Sequence, residues 1–168
     1  MDCKKNGFTL VECLICLAVI SVLATFGYPS MTTWQERLRF RSELSTLVSS
    51  LQQAKMSAIK ANSFVVFQVK EKGYLVFVDN GAGGGIRGDW KRQGKERVLI
   101  DYDLPAGLNL TTNLTLGRTR FSGQPGMKAG TVFLRSTSGT EAHDVIINTV
   151  GRIRSMKMVL KICPTLPQ

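Results

Sequence analysis

Residues 4–28 read KKNGFTLVECLICLAVISVLATFGY, and this stretch decides the fold class of the chain. Two lysines precede a run of 21 residues, from Phe8 to Tyr28, that contains a single carboxylate, Glu12. A helix rises about 1.5 Å per residue, so this run reaches roughly 31 Å, which is about the thickness of one hydrocarbon core. The sequence therefore predicts a helix over residues 8–29 that is long enough to span a membrane.

The flanks of the apolar run predict its orientation. A secretory cleavage site would follow the run and would carry small residues in an A-x-A-like pattern, which Tyr28-Pro29-Ser30 does not supply. The run is therefore expected to stay in the chain. Lys4 and Lys5 favour the cytoplasmic side, so the rest of the chain is expected to lie across the membrane.

Glu12 is the anomaly of the apolar run, because a charged side chain deep in hydrocarbon costs on the order of 2.5 to 3.5 kcal/mol. A cut between Gly7 and Phe8 would create an α-amino group about one helical turn from this carboxylate, in the same chain or in a neighbour. A carboxylate that snorkels to the membrane interface is the alternative.

KKNG followed by FTLVE resembles the class III leader and cleavage site of type IV pilins and pseudopilins. The resemblance implies that residues 1–7 are a leader, that a prepilin peptidase cuts after Gly7, and that Phe8 is then N-methylated. It also implies that Glu12 registers the subunit against other pilins in a filament through a neighbour's Phe8 amine. Pro29 falls where pilins commonly carry a proline, and its missing amide hydrogen predicts a bend in the helix.

An apolar stripe predicts that the helix continues as an amphipathic segment over residues 30–62. Its members recur at intervals of three and four residues and are Phe40, Leu44, Leu47, Leu51, Ala54 and Ala58. Charged residues occupy the other faces, so one side of this segment is expected to pack against a globular head. Asn62-Ser63 ends the pattern, which gives one helix of about fifty residues.

Residues 63–168 are predicted to form a β-rich globular head with a basic C-terminal tail. Segments rich in β-branched and aromatic residues alternate there with Gly and Pro. The predicted strands cover residues 63–69, 74–78, 97–102, 108–112, 131–135, 144–149 and 155–162. The predicted fold class is α+β, a type IV pilin-like fold in which a long N-terminal helix packs on an antiparallel β-sheet head.

The charge of the chain is basic and unevenly distributed. The 22 Lys and Arg residues outnumber the 12 Asp and Glu residues, for a formal net charge of +10 over 168 residues. Eight basic and two acidic residues lie between positions 113 and 168. Such a balance suits a polyanionic partner or an anionic membrane surface.

Residues 151–157 read GRIRSMK and form the predicted anion-binding site of the tail. Gly151 permits a tight turn or a positive φ, and Arg152 and Arg154 would point to one side of an extended strand. Each guanidinium presents paired N–H donors that suit a phosphate. The auxiliary candidates on the same tail are Lys157, Lys161 and Ser155. A β-turn followed by solvated arginines is the structural alternative.

A long helix, a run of strands and a terminal G-R-x-R resemble the GspH/FimT group of minor pilins and pseudopilins. G-R-x-R near the C-terminus marks the FimT-type minor pilins that bind DNA in natural transformation. The resemblance implies that Gly151, Arg152 and Arg154 contact extracellular DNA through its phosphates, largely without sequence preference. The alternatives are a GspH-like structural pseudopilin of a type II secretion system and a minor pilin that primes pilus assembly.

A second copy of the motif, GRTR at residues 117–120, has the same form. Members of the group often carry a G-R pair at an internal turn, so the resemblance implies an architectural role for this copy. Residues 80–94, NGAGGGIRGDWKRQG, lack the Lys-Ser/Thr pair of a phosphate loop and favour a flexible connection. An aromatic ring beside cations can stack on a base or sugar. The weaker DNA-binding candidates are Arg118, Arg120, Trp90, Lys91 and Arg92.

The sequence predicts neither an enzyme nor a bound cofactor or metal. The chain has one histidine, His143, and no G-x-S-x-G elbow or metal-ligand cluster. Cys13 and Cys16 behave as small hydrophobes within the apolar run, and Cys163 is the only cysteine of the head. The predicted location is the bacterial inner membrane, with the head in the periplasm, followed by the pilus or pseudopilus.

Overall fold

A single long helix leads into the β-rich part of the chain. The computed structural model describes residues 9–123 and 128–158, with the side chains of residues 25–30 outside that description. Helix α1 spans Leu10–Ala61, 52 residues, and its helical backbone continues through Pro29. The predicted helix of about fifty residues is confirmed, whereas the bend at Pro29 stays a prediction.

The chain divides into two compact units, and the first ends at Arg39. In its described part this unit is the N-terminal portion of α1, and the apolar side chains from Leu10 to Leu23 are exposed. Within the described parts of the chain, no helical stretch is both long enough and apolar enough to cross a membrane. The predicted span over residues 8–29 includes Phe8, which lies outside the described residues, and it stays a prediction.

The second unit begins at Phe40 and contains eight described strands in two antiparallel sheets. The strands are β1 Phe64–Lys70, β2 Gly73–Asp79, β3 Val98–Asp103, β4 Leu108–Thr112, β5 Arg118–Phe121, β6 Gly130–Ser136, β7 Ala142–Ile147 and β8 Ile153–Lys157. The first sheet has the order β3-β2-β1-β5 and the second has the order β4-β6-β7-β8. A long helix followed by antiparallel strands confirms the predicted α+β, pilin-like fold.

The apolar stripe of α1 and the inner faces of both sheets form one core. Phe40, Leu47, Leu51 and the two stripe alanines are buried against residues of both sheets, as the stripe predicted. Polar contacts add to this packing at the first sheet, where the Tyr102 hydroxyl donates to the Glu43 carboxylate at 2.7 Å. That hydrogen bond is the largest cause that raises the pKa of Tyr102 to about 12.

Two differences from the predicted strands concern the basic motifs. Strand β5, which pairs with β1, was missed because it has four residues, two of them arginines. Its alternation of half-buried arginines with buried Thr119 and Phe121 is the period-2 signal that would have revealed it. Strand β8 begins at Ile153 instead of residue 155 and ends at Lys157, and residues 159–162 lie outside the described residues.

Candidate functional site

The predicted basic site lies on the hairpin between β7 and β8. The Gly151 amide donates to the Asn148 carbonyl at 2.8 Å, and the Asn148 amide donates to the Arg152 carbonyl at 3.0 Å. These two bonds close a three-residue loop in which Gly151 has a φ of 76°. Only glycine adopts this left-handed conformation without a Cβ penalty, so the glycine of the motif is required by the turn.

Lys55 of α1 fixes this turn from the helix. Its ammonium group donates to the Gly151 carbonyl at 2.9 Å, although the two residues are 96 positions apart in the chain. Sequence analysis missed Lys55, because no local pattern links a helix lysine to a distant hairpin. The contact holds the start of β8 in place relative to the helix.

The register of β8 decides where the two arginines point. Ile153 pairs with Ile147 and packs against the core, so Arg154, opposite Ile146, lies on the outer face of the second sheet. Arg152 lies opposite Asn148 and shares that face. Both arginines are exposed, and no carboxylate of the described residues forms an ion pair with either.

The auxiliary candidates of the tail are arranged differently from the two arginines. Ser155 and Lys157 alternate with Arg154 along β8, so they point to the opposite side of the strand. The Lys157 ammonium also lies 3.3 Å from the Glu141 carboxylate, whose side chain is only 10% exposed. Lys161 lies outside the described residues. The strand pleat therefore separates Ser155 and Lys157 from Arg154, and their auxiliary role in anion binding stays a prediction.

One further cation, Arg135 on β6, shares the outer face. Its neighbours Val132 and Leu134 face the core, and its guanidinium lies 5.5 Å from the Phe133 ring. Sequence analysis counted Arg135 only as part of the tail charge. The same strand alternation that places Arg154 outside could have identified it. We call Arg135, Arg152 and Arg154 the outer arginine face.

One carboxylate also belongs to this face. Asp144 of β7 lies opposite Met156 of β8, and its side chain is buried. Its Oδ1 atom has no hydrogen-bond partner among the described residues. Asp144 makes no ion pair with the two exposed arginines of β8. The two exposed arginines therefore keep their N–H donors free of a direct contact with this buried acid.

The copy at residues 117–120 repeats the backbone of the first motif with different surroundings. Gly117 has a φ of 68°, and its amide closes a turn onto the Leu114 carbonyl at 2.9 Å. The Arg118 guanidinium donates to the Trp90 carbonyl at 2.8 Å, and that of Arg120 donates to the Gly88 carbonyl at 3.3 Å. These arginines bind the chain itself, which agrees with the predicted architectural role.

The Gly-rich loop, residues 80–97 between β2 and β3, is organised around two buried carboxylates. Asp79, which is 0% exposed, accepts from the Gly88 amide at 2.6 Å and from the Trp90 amide at 3.1 Å. Glu96, which is 3% exposed, accepts from the Gly81 amide at 3.0 Å and from the Gln93 amide at 2.8 Å. The loop is therefore anchored through four of its backbone amides, and its predicted flexibility stays a prediction.

Trp90 has two cations of the protein beside its ring. Arg120 lies 4.6 Å from the centre of the Trp90 ring, and Lys128 lies 5.3 Å from it. Cation–π contacts of this kind hold the ring next to the protein's own cations, and the prediction that it stacks on a base stays a prediction. Lys91 and Arg92 beside it are exposed.

The predicted assembly residues lie at the start of α1. Thr9 and Glu12 form a reciprocal cap, in which the Thr9 amide donates to the Glu12 carboxylate at 3.4 Å and the Glu12 amide donates to Thr9 Oγ1 at 3.3 Å. The T-x-x-E spacing was a signal for this cap that the sequence analysis left unused. Gly7 and Phe8 lie outside the described residues, so their predicted processing stays a prediction.

Comparison with known proteins gives two family matches. The model described as type II transport protein GspH matches residues 43–151, and the model described as prokaryotic N-terminal methylation motif matches residues 2–28. The first match contains the GRTR copy and ends at Gly151, directly before the two exposed arginines. The second contains residues 2–7 of the predicted leader, and together the matches confirm the resemblance to minor pilins and pseudopilins.

A curated relative is the pilin-like protein PilA1 of Thermus thermophilus. The two are 33% identical over 81 residues, which cover 46% of this chain and 51% of PilA1. The chain thus spans about half the length of the curated relative it matches. No solved structure matches the chain.

Proposed function

Because the chain belongs to the GspH family and carries an N-terminal methylation motif, it is a membrane-anchored minor pilin or pseudopilin, and we propose that it binds extracellular DNA for natural transformation. In this FimT-like role, Arg152 and Arg154 contact the phosphates of DNA. The protein acts as a binding subunit without enzymatic activity. A prepilin peptidase removes residues 1–7, the head lies in the periplasm, and the mature chain joins other pilins in a filament.

The observation that carries this proposal is the contrast between the two G-R-x-R copies. Both copies begin with a glycine at positive φ, yet Arg118 and Arg120 donate to carbonyls of the Gly-rich loop. Arg152 and Arg154 are exposed on the outer face of a strand at the edge of its sheet, with no ion-pair partner among the described residues. Their donors therefore remain available for an anion from outside.

The chemistry of this pair suits a phosphate backbone. A guanidinium presents two parallel N–H donors to phosphate oxygens, and these contacts carry no base sequence information. The edge strand leaves the arginine side accessible to a long polymer, in contrast to a closed pocket. Binding that uses phosphates alone releases counterions and depends steeply on salt.

DNA binding is tested with the full chain in detergent micelles and a fluorescently labelled duplex. Two phosphate contacts predict a slope of about −1.8 for the logarithm of the binding constant against the logarithm of salt, which is about a tenfold loss between roughly 50 and 200 mM. The Arg152→Gln/Arg154→Gln variant is expected to bind weakly at every salt concentration and to show a slope near zero.

The matched control removes the same charge from another surface. Lys60, near the end of α1, and Lys72, in the turn between β1 and β2, are exposed and are not part of the β7–β8 hairpin. The Lys60→Gln/Lys72→Gln variant is expected to keep most of the affinity and the salt slope. If both double variants lost DNA affinity equally, the loss would be an effect of the protein's net charge and not of Arg152 and Arg154. Absence of salt-sensitive binding by the unmodified chain would contradict the proposal.

The second candidate function is structural, either as a pseudopilin of a type II secretion system or as a minor pilin that primes assembly. The GspH family match favours it, because the match ends at Gly151 and includes neither exposed arginine. In bacteria whose only copy is the Arg152→Gln/Arg154→Gln variant, a structural role predicts normal secretion, normal filament number and normal DNA uptake. Loss of DNA uptake with normal filaments supports the DNA-binding role instead.

Glu12 provides a separate prediction about assembly. Glutamine at position 12 keeps an acceptor for the Thr9 amide but loses the charge, whereas alanine loses both. If the carboxylate pairs with a neighbour's α-amino group, Glu12→Gln and Glu12→Ala should both lower incorporation into sheared filaments at least about tenfold. The measurement is an immunoblot of filament and membrane fractions.

The control for this prediction is Thr9→Ala, which removes the Thr9 hydroxyl of the cap and retains the Glu12 carboxylate. Loss of a capping side chain costs helices about 1 kcal/mol, and the variant is expected to assemble nearly as well as the unmodified chain. Normal incorporation of Glu12→Gln would contradict the pairing, because it would show that assembly does not require the charge of Glu12.

A further inference from the structure

A second basic site lies between the Gly-rich loop and the start of β5. It is a pocket of about 180 Å³. The lining residues are Asp89, Trp90, Lys91, Thr115, Leu116, Arg118 and Lys128. We propose that this pocket, here called the Arg118 pocket, binds a single oxyanion, namely phosphate or the phosphate group of a phosphomonoester. The inference is independent of DNA binding by Arg152 and Arg154, because it rests on other residues.

The charge of the pocket wall favours an anion. Three cations line it, and the one acid, Asp89, is already occupied. Asp89 Oδ1 accepts from the Lys91 amide at 2.9 Å, and Oδ2 accepts from the Gln93 side-chain amide at 2.5 Å. No carboxylate in the described part of the chain forms an ion pair with Lys91, Arg118 or Lys128. An entering anion would therefore meet uncompensated positive charge.

Arg118 is the central group of the pocket. One of its Nη atoms donates to the Trp90 carbonyl, which fixes the orientation of the guanidinium. Its Nε atom is buried and has no hydrogen-bond partner among the described residues. The buried Nε makes the guanidinium partly desolvated, which is unfavourable for a charge by itself. The second Nη atom forms no hydrogen bond to the described residues, and a charge-assisted hydrogen bond from it to an oxyanion would stabilise the guanidinium.

The other walls are held in place before any ligand arrives. The Arg120 guanidinium and the Lys128 ammonium both lie within about 6 Å of the Trp90 ring centre, and Trp90 and Lys128 both line the pocket. Trp90 and Leu116 have φ values of 67° and 55°, a conformation that is uncommon for residues other than glycine. Backbone strain of this kind concentrates at ligand-binding sites, because the surrounding structure must hold it.

The size of the pocket limits the ligand. Each water occupies about 30 Å³ in the liquid, so a cavity of this volume accommodates one tetrahedral phosphate with a few waters. A continuous duplex backbone requires an open surface, such as the outer arginine face. The Arg118 pocket is therefore expected to select free phosphate or a terminal phosphate over internal phosphodiesters.

Phosphate binding is tested by isothermal titration calorimetry of inorganic phosphate into the full chain in detergent micelles. We expect saturable binding in the millimolar range, weakened about tenfold by Lys91→Gln/Lys128→Gln, since each exposed lysine is expected to contribute about threefold. Both lysines are exposed, so these substitutions leave the fold intact. Arg118→Gln is expected to abolish binding, with Arg118→Lys restoring part of it.

The controls separate this pocket from the DNA-binding proposal. Lys60→Gln/Lys72→Gln and Arg152→Gln/Arg154→Gln are both expected to bind inorganic phosphate as the unmodified chain does. If the latter variant loses DNA binding but still binds inorganic phosphate, the Arg118 pocket binds phosphate independently of Arg152 and Arg154. No detectable phosphate binding, or binding that Lys91→Gln/Lys128→Gln leaves unchanged, would overturn the inference.

Two oligonucleotides then distinguish the sources of the phosphate. In the Arg152→Gln/Arg154→Gln background, a single-stranded oligonucleotide with a 5′-phosphate is compared with the same oligonucleotide ending in a 5′-hydroxyl. Tighter binding of the phosphorylated strand, with displacement by inorganic phosphate, identifies the terminal phosphate of a nucleic acid as a ligand. Equal binding of both strands, together with calorimetric binding of inorganic phosphate, identifies the free anion.

Discussion

Replacing Asp79 by asparagine is expected to destabilise the head by about 2–3 kcal/mol, because one of the two backbone amides that this buried carboxylate accepts would lose its hydrogen bond. Both carboxylate oxygens of Asp79 accept backbone amides, those of Gly88 and Trp90. Asparagine offers one oxygen and one NH₂ group, so one of these amides would face a second donor. The segment that carries Trp90 and one wall of the Arg118 pocket would then lose its anchor.

This prediction is measured by hydrogen exchange of the full chain followed by mass spectrometry, with exchange in residues 81–95 as the local readout. Trp34 and Trp90 are the two tryptophans of the chain, so Trp90 fluorescence in a Trp34→Phe background reports urea unfolding near the loop. The Asp79→Asn variant should exchange faster in the loop and unfold at lower urea concentration than its parent.

Asp103→Asn is the matched control for Asp79→Asn. Asp103 is an exposed carboxylate that pairs with Lys70 at 3.2 Å, and its side chain is 78% exposed. Surface pairs of this kind contribute less than about 1 kcal/mol, so this variant should resemble the parent. Equal stability of the two asparagine variants would contradict the role assigned to the buried Asp79 carboxylate.

Replacing Gly151 by valine is expected to destabilise the β7–β8 hairpin by about 2 kcal/mol without changing the net charge. The φ of 76° at Gly151 is strained for any residue with a Cβ, and most strongly for a β-branched one. Relief of the strain would move the turn, together with the Lys55 contact and the start of β8. If the arginines bind DNA, their affinity should fall toward that of the Arg152→Gln/Arg154→Gln variant.

The measurement for Gly151→Val combines duplex binding at low salt with hydrogen exchange of residues 145–157. Gly151→Asn is the matched control, because asparagine tolerates the left-handed conformation better than other side chains. We expect Asn to retain most of the protection and most of the affinity. If valine and asparagine behave alike, then side-chain size at position 151, and not backbone conformation, controls the site.

Most of the fold could be predicted from local pattern. The leader and apolar run at residues 4–28 indicated a pilin-type N-terminus, and the stripe from Phe40 to Ala58 gave both the length and the buried face of the helix. These signals are local, because periodicity depends only on neighbouring residues. Strand β5 was not predicted, because its four residues are too few for a clear strand pattern and their strand conformation depends on pairing with the distant strand β1.

The residues of the candidate site could be predicted from the sequence, but their positions relative to one another could not. The sequence identified the cations of the tail, whereas the register of β8 separated Lys157 from Arg154 and joined Arg135 to the arginine side. The capping box of Thr9 and Glu12 was predictable from its spacing. The Arg118 pocket was not, because its wall comes from segments far apart in the chain.

The sequence by itself determined that the chain has a pilin-like helix, a β-rich head and two G-R-x-R motifs with the same turn-forming glycine. Only the tertiary structure decided which motif presents its arginines to solvent. Arg118 and Arg120 meet carbonyl groups 28 and 32 positions away, and Arg152 and Arg154 meet none among the described residues. The physical reason is that a charged group is available only if folding brings no internal partner to it. Two short motifs of the same form do not specify which partners folding brings.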